Sequence, residues 1–453
     1  VIAFLVCLLG FVSVYIAGRR SLSAGVGLAL SFGYMYGLIR AHYPEPASYF
    51  IFDSSLAGLY LAILMRQRSP LERRKMRQIA PWVLIMTAWP MALALLPLQD
   101  GLIQLVGLRG QVFFLPFLLI GAMCDDRELR KLAFWLAVLN IVAFAFASGE
   151  YVFGISAFLP RNAATAVIYV SKDVATSGSG NETAYRIPAT FVNPAGYGGV
   201  MVLTLPILIG AWARVEEYTW NRVLFAGSIG VAVLGVFMCA SRSQAVILIL
   251  LAIVVSLSFR VRLTAYLAWG AIAATVGWLV ISTPRLQRFT TLQDTSYVQV
   301  RIRGSVNEGF LELAENYPLG NGLGGGGTNI PYFLQDRLVN SVIIENEYAR
   351  ILAELGIPGL AIWMAFIFWV FTRAAPRRSD PWFIGRRLAY VVTLMFLAMA
   401  VIGLGLLTWV PGTAMLMFLI GWIAVPNKLR VAVADPWAPA IIRGDFIRSR
   451  ARA

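Results

Sequence analysis

The stretch from Ile343 to Trp363, IIENEYARILAELGIPGLAIW, is long and apolar enough to cross a bilayer, yet it opens with Glu345, Asn346, Glu347, Tyr348 and Arg350 and carries Glu354 a turn later. Charged side chains at hydrocarbon depth are costly and face a protein interior or a wet cavity. On a helix Glu347, Arg350 and Glu354 form one stripe at i, i+3 and i+7, so mutual ion pairing accounts for them without any chemistry. Glu345 stands about 200° around the helix from Glu347 and falls off that stripe. It is left at the mouth of the segment as a candidate base or hydrogen-bond acceptor, next to Asn346 and Tyr348.

The second set of candidates is arginine. Arg242 sits in the short turn CASRSQ between two apolar segments, Arg186 precedes the helix entrance TFVNPAGYGG, Arg301 and Arg303 lie in a long polar stretch, and Arg109 interrupts LIQLVGLRGQVFF. A planar guanidinium fork matches the oxygens of a phosphate, so arginines gathered at helix entrances predict an anion as ligand. A lone arginine at a helix end is equally well an anchor that snorkels to the interface, and for Arg242 both readings are open. The Asn-Pro-Gly pattern of TFVNPAGYGG suits a helix start whose backbone N–H groups face an anion.

Other chemistries find little support. The run YPLGNGLGGGG, Tyr317 to Gly327, lacks the GK[ST] ending of a nucleotide-binding loop; it suits either a close approach to a ligand or plain flexibility. His42 is the only histidine, and the three cysteines are scattered in or beside apolar segments without metal-ligand spacing, so no metal site and no cofactor is expected. The sequon Asn181-Glu182-Thr183 points to glycosylation only in a eukaryotic secretory setting, for which nothing else in the sequence argues.

The elements that must position these residues are membrane helices. The chain is 59% hydrophobic and 13% charged, far too apolar for a soluble enzyme. Its apolar runs have the length a helix needs to cross roughly 30 Å of hydrocarbon, not the short alternation of a barrel strand. We read them at 1–17, 22–39, 50–65, 79–97, 101–124, 133–148, 191–211, 223–240, 244–259, 263–281, 343–371, 388–406 and 407–425. This predicts an all-α polytopic membrane protein, a single transmembrane domain over 1–453 with about 12–14 spanning helices.

The net charge of +15 comes from short clusters between apolar runs, which set topology and give no reason to expect nucleic acid. Placing Arg66 to Gln78, Thr372 to Arg387 and the tail after Pro426 in the cytoplasm, and with them by alternation the stretches GRRS, CDDRELRK, WARVEEYTWNR and FRVR, puts roughly 26 of the 38 Lys and Arg inside. Two polar stretches then face out, 150–190 and 282–340, and the second is the longest loop, one expected to carry short helices. The chain opens at Val1 inside an apolar run without Met, as a cleaved leader or a trimmed start would leave it.

In this order, TFVNPAGYGG, an apolar helix, CASRSQAVILIL, a long loop with RIRGSVNEGFLELAENYPLGNGLG and then ENEYARILAELGIPGL, the chain resembles the bacterial O-antigen ligase and polymerase superfamily over roughly Arg186 to Leu360. The resemblance implies an inner-membrane glycosyltransferase whose site faces the periplasm and needs no metal. It implies an undecaprenyl-pyrophosphate-linked glycan donor and a glycan acceptor as partners, besides membrane lipids, with a chain-length regulator as a further candidate. Arginines for the pyrophosphate match Arg242 and Arg303, with Arg301 the near alternative, and Arg186 and Arg109 as further contacts. Where ligases carry histidine before Asn, this chain has Glu345 before Asn346 and Tyr348. That departure favours polymerisation of O-antigen or exopolysaccharide repeat units over ligation to lipid A core, with Glu345, Arg242 and Arg303 as catalytic residues. A polysaccharide transporter or flippase is the third reading, and the matching broken helices it would show in two halves are not seen.

Overall fold

The computed structural model describes residues 1–170, 186–214, 220–258, 296, 299, 310–327, 330–340, 342, 344, 346–373, 380–403, 405 and 407–425. Glu345, Arg301, Arg303, the apolar run at 263–281 and the sequon lie outside the described residues.

The helices are α1 (Ile2–Arg20), α2 (Leu22–His42), α3 (Ile51–Leu64), α4 (Pro70–Leu93), α5 (Gly101–Val112), α6 (Pro116–Met123), α7 (Asp126–Phe153), α8 (Ala166–Val170), α9 (Pro194–Trp212), α10 (Trp220–Met238), α11 (Arg242–Ser258), α12 (Phe310–Asn316), α13 (Glu347–Arg373), α14 (Phe383–Met399) and α15 (Gly412–Ala424). Short 3-10 turns cover Pro46–Phe50, Ile155–Ala157 and Tyr332–Arg337. No strand occurs among the described residues. Among the described residues, eight segments are long and apolar enough to cross a membrane, and α11 and α15 are shorter apolar helices. The protein is a multi-pass helical membrane protein, as its hydropathy predicts.

Helix boundaries follow local chemistry that hydropathy does not register. α4 starts at Pro70, inside the basic cluster, because Ser69 and Glu72 form a reciprocal capping box that satisfies two end N–H groups. α7 starts at Asp126, whose predecessor Asp125 accepts a hydrogen bond from the Glu128 N–H at 2.8 Å. Pro116 separates α5 from α6, taking the first helical position where its missing N–H costs nothing.

α9 is the central helix, with 83% of its spanning window buried against 22% for α1. It packs on α7, α10, α14 and α15, while α1 packs on α2 and α3 at the periphery. Where backbones come closest, glycine makes room: a Cβ at Gly121 would lie 2.0 Å from the Phe418 oxygen, and one at Gly421 2.0 Å from the Leu118 oxygen. That reciprocal contact seals α6 to α15, the small-residue packing expected where lipid offers no hydrophobic drive between helices.

The connections gather at two ends. At the basic end the Ser23 N–H donates to Glu128 at 2.6 Å, Arg214 pairs with Asp126 at 3.2 Å, and the buried Arg386 reaches Asp380 and the Val425 carbonyl. At the other, the long-loop end, the Tyr332 hydroxyl donates to the Pro44 carbonyl at 3.2 Å, and Gln99 donates to the Asn321 and Val339 carbonyls at 2.9 and 2.8 Å. Arg386, near the end of the basic stretch read as cytoplasmic, is buried, 3% exposed.

Candidate functional site

The site is built from turns at the long-loop end. Asn193 caps α9, accepting from the Gly196 N–H at 2.6 Å, and Pro194 takes the first helical position. The residues before it are locked between two helices. The Thr190 carbonyl accepts from the Leu38 N–H of α2 at 3.1 Å, and Glu150 of α7 accepts from the Ala189 N–H at 2.9 Å. Gly37 allows the close approach on the α2 side, since a Cβ there would sit 2.2 Å from the Phe191 carbonyl carbon.

At the start of this turn Arg186 donates from Nε to the Cys239 carbonyl at 3.1 Å, reaching the α10–α11 turn from a segment 53 residues earlier. Arg242 follows as the first residue of α11. The two guanidinium groups are electrostatic neighbours. Burial pushes the Arg186 pKa down; proximity to Cys239 opposes this, and the like charge of Arg242 adds to it. Burial likewise pushes the Cys239 thiol up to about 11, with Arg186 acting the other way. Two arginines from separate segments thus stand near enough for each to feel the other's charge, an arrangement suited to an oxyanion ligand.

The α13 entrance joins this region through residues 400–403, 405 and 407–411. A Cβ at Gly199 of α9 would meet the Trp409 ring at 3.3 Å and the Gln244 amide of α11 at 3.6 Å, and Gly405 lies against the Trp409 indole. The Gly405 N–H donates to Glu347 Oε2 at 2.7 Å, and the Glu347 N–H donates to the Ala400 carbonyl at 2.9 Å. The entrances of α9, α11 and α13 therefore meet around Trp409. Buried polar atoms nearby, Tyr197 OH, Gln244 Oε1 and Thr190 Oγ1, make no hydrogen bond among the described residues.

Other candidates have structural partners. Asn346 accepts from the Ala349 N–H at 2.7 Å as the α13 cap, and the Tyr348 hydroxyl donates to the Leu397 carbonyl of α14 at 2.8 Å. Arg109 forms a two-pronged ion pair with Asp53 of α3, its Nη2 at 2.8 Å from Oδ1. The charged stripe of α13 does what its spacing predicts: Arg350 donates to Glu347 at 2.8 Å and to Glu354 at 2.7 Å, and Gln111 of α5 adds a bond to Glu354 at 2.6 Å.

The glycine-rich run is neither slack nor open to a ligand where it is described. Gly356 takes φ 68° and kinks α13, and the run closes over the kink, with the Asn321 N–H donating to the Ala353 carbonyl at 2.6 Å and the Ile357 N–H to the Pro318 carbonyl at 2.9 Å. A Cβ at Gly320 would lie 2.7 Å from the Glu354 carbonyl oxygen.

Sequence reasoning overlooked Asp53, Gln111 and Glu150. Asp53 and Glu150 carried a usable signal, each being a carboxylate within or at the end of an apolar stretch. Gln111 carried none, because an amide in a helix does not announce its partner 243 residues away. No group of three or more His, Cys, Asp or Glu that could hold a metal ion occurs among the described residues. No protein-family model matches the chain, and no curated protein matches it either.

Proposed function

We propose that the protein is an inner-membrane glycosyltransferase that polymerises undecaprenyl-pyrophosphate-linked oligosaccharide repeat units at the periplasmic face. The observation that carries the reading is that Arg186, bonded to the Cys239 carbonyl of the α10–α11 turn, lies within electrostatic reach of Arg242 at the start of α11. In the reaction, an acceptor hydroxyl oxygen attacks the anomeric carbon of the donor glycan. The bond from that carbon to the pyrophosphate oxygen breaks, the hydroxyl proton passes to a base, and the lipid pyrophosphate leaves carrying the electron pair.

A glycosyl pyrophosphate already has a good leaving group, so the protein has two tasks. Arg186 and Arg242, with Arg301 and Arg303 as further candidates, stabilise charge growing on the phosphate oxygens. A fixed donor at such a position is worth about 10²–10³-fold in rate. Glu345, directly before the α13 cap Asn346, takes the proton, a contribution of about 10²–10⁴-fold.

The test is incubation of the purified protein with a lipid-linked repeat unit alone. A ladder of lengthening products supports polymerisation. Turnover only after addition of lipid A core supports ligation, and no turnover with either contradicts the glycosyltransferase reading.

A further inference from the structure

We infer that Glu150 is a positioning residue for Arg186, acting through the backbone of the turn that carries the arginine; this rests on the anion-binding role proposed above for Arg186. Glu150 lies in the last turn of α7, three residues before its end at Phe153, and is 1% exposed. One carboxylate oxygen accepts the Ala189 N–H at 2.9 Å, and the other makes no hydrogen bond among the described residues. Ala189 lies three residues after Arg186 and takes φ 51°, a left-handed conformation that alanine rarely adopts. On the other side of the arginine pair, Ala240 takes φ 47°, two residues before Arg242.

Only three non-glycine residues among those described have positive φ, and two of them flank these arginines. Backbone strain of this kind persists where the surroundings over-determine it, and it collects at functional sites. The surroundings of Ala189 are explicit. Its N–H is held by Glu150 and the next carbonyl by the Leu38 N–H, and Ile187, Ala189 and Thr190 are fully buried. The Arg186 Nε contact to the Cys239 carbonyl then ties this strained turn to the second one.

The role of Glu150 is that of an acceptor, not of a counter-charge. Glu150 meets the turn through the Ala189 N–H, a bond that needs an acceptor oxygen and no net charge. An amide oxygen can accept the same bond. Glu150→Gln should therefore retain the turn, whereas Glu150→Ala has no acceptor and Glu150→Asp is one methylene too short.

The experiment measures two quantities on the full-length protein in detergent: affinity for inorganic pyrophosphate by titration calorimetry, and amide hydrogen exchange of the 186–193 segment. Glu150→Gln is expected within about threefold of the parent in both, while Glu150→Ala and Glu150→Asp speed exchange by about tenfold or more and weaken pyrophosphate binding similarly, with α10 amides unchanged. Should the alanine variant fail to fold, the aspartate variant supplies the same comparison. Damage from Glu150→Gln equal to that of the shorter side chains overturns the inference, and so does parental exchange in both of those variants. A parent protein with no affinity for pyrophosphate counts against the proposed function instead, and the exchange comparison still decides the role of Glu150.

Discussion

Replacing Arg350 with methionine should destabilise the protein severely. Arg350 is 1% exposed, Glu347 0% and Glu354 3%, so the substitution strands two carboxylates in the protein interior. Among the described residues each keeps a neutral donor, the Gly405 N–H for Glu347 and the Gln111 amide for Glu354. Neither donor replaces a cation. Breaking a buried pair by removing one partner costs about 3–5 kcal/mol, most of it the burden of an uncompensated charge. At about 2 °C per kcal/mol for a long chain, the apparent Tm should fall by roughly 5–10 °C. The assay is thermal unfolding in detergent, followed by intrinsic tryptophan fluorescence, on Arg350→Met and on the triple variant that adds Glu347→Gln and Glu354→Gln. Neutralising both carboxylates removes the burden, so the triple variant should recover most of the lost stability. A single variant as stable as the parent, or a triple variant no better than the single, would refute the reasoning that this stripe is held by its own ion pairs.

Arg109→Met should destabilise in the same way through the buried Asp53, by about 3 kcal/mol or more, and adding Asp53→Asn should restore stability in the same thermal scan. Arg109→Lys should not rescue, because the fork that meets both carboxylate oxygens is lost. Gly107→Ala would place a Cβ 2.2 Å from the Gly324 nitrogen and should push the glycine-rich run off α5, at a cost of about 1–3 kcal/mol, read as a lower Tm and faster proteolysis of that run. Cys239, with its thiol pushed up to about 11, holds only about one part in a thousand as thiolate at pH 8. Maleimide labelling of the folded protein at that site, followed by mass spectrometry, should therefore be far slower than in the unfolded chain and should rise with pH; equal rates would contradict the burial of the thiol.

Much of the architecture was legible because membrane helices announce themselves by length and composition. What hydropathy misses are the polar ends that continue a helix, as at Pro70 and Asp126, where caps and not apolar residues set the start. The stripe of Glu347, Arg350 and Glu354 was readable because its partners lie on one helix face. The Arg109–Asp53 pair was half readable: the arginine stood out, and its carboxylate lies on another helix, 56 residues away. The glycine-rich run was ambiguous, since glycine serves both slack loops and close packing, and only the kinked backbone at Gly356 shows which of the two applies. The neighbourhood of Arg186 and Arg242 depends on two strained turns meeting across α9, α10 and α11, a relation with no local signature.

The measurement closest to the central claim is a double-mutant cycle of Arg186→Ala and Arg242→Ala, scored as turnover of a lipid-pyrophosphate-linked repeat unit by protein of verified fold. If both arginines act on one diphosphate, each single variant should lose about 10²-fold or more in kcat/KM, and the double variant should lose much less than the product of the two. Multiplying losses, or singles that still make full-length polymer, would contradict a shared anion site.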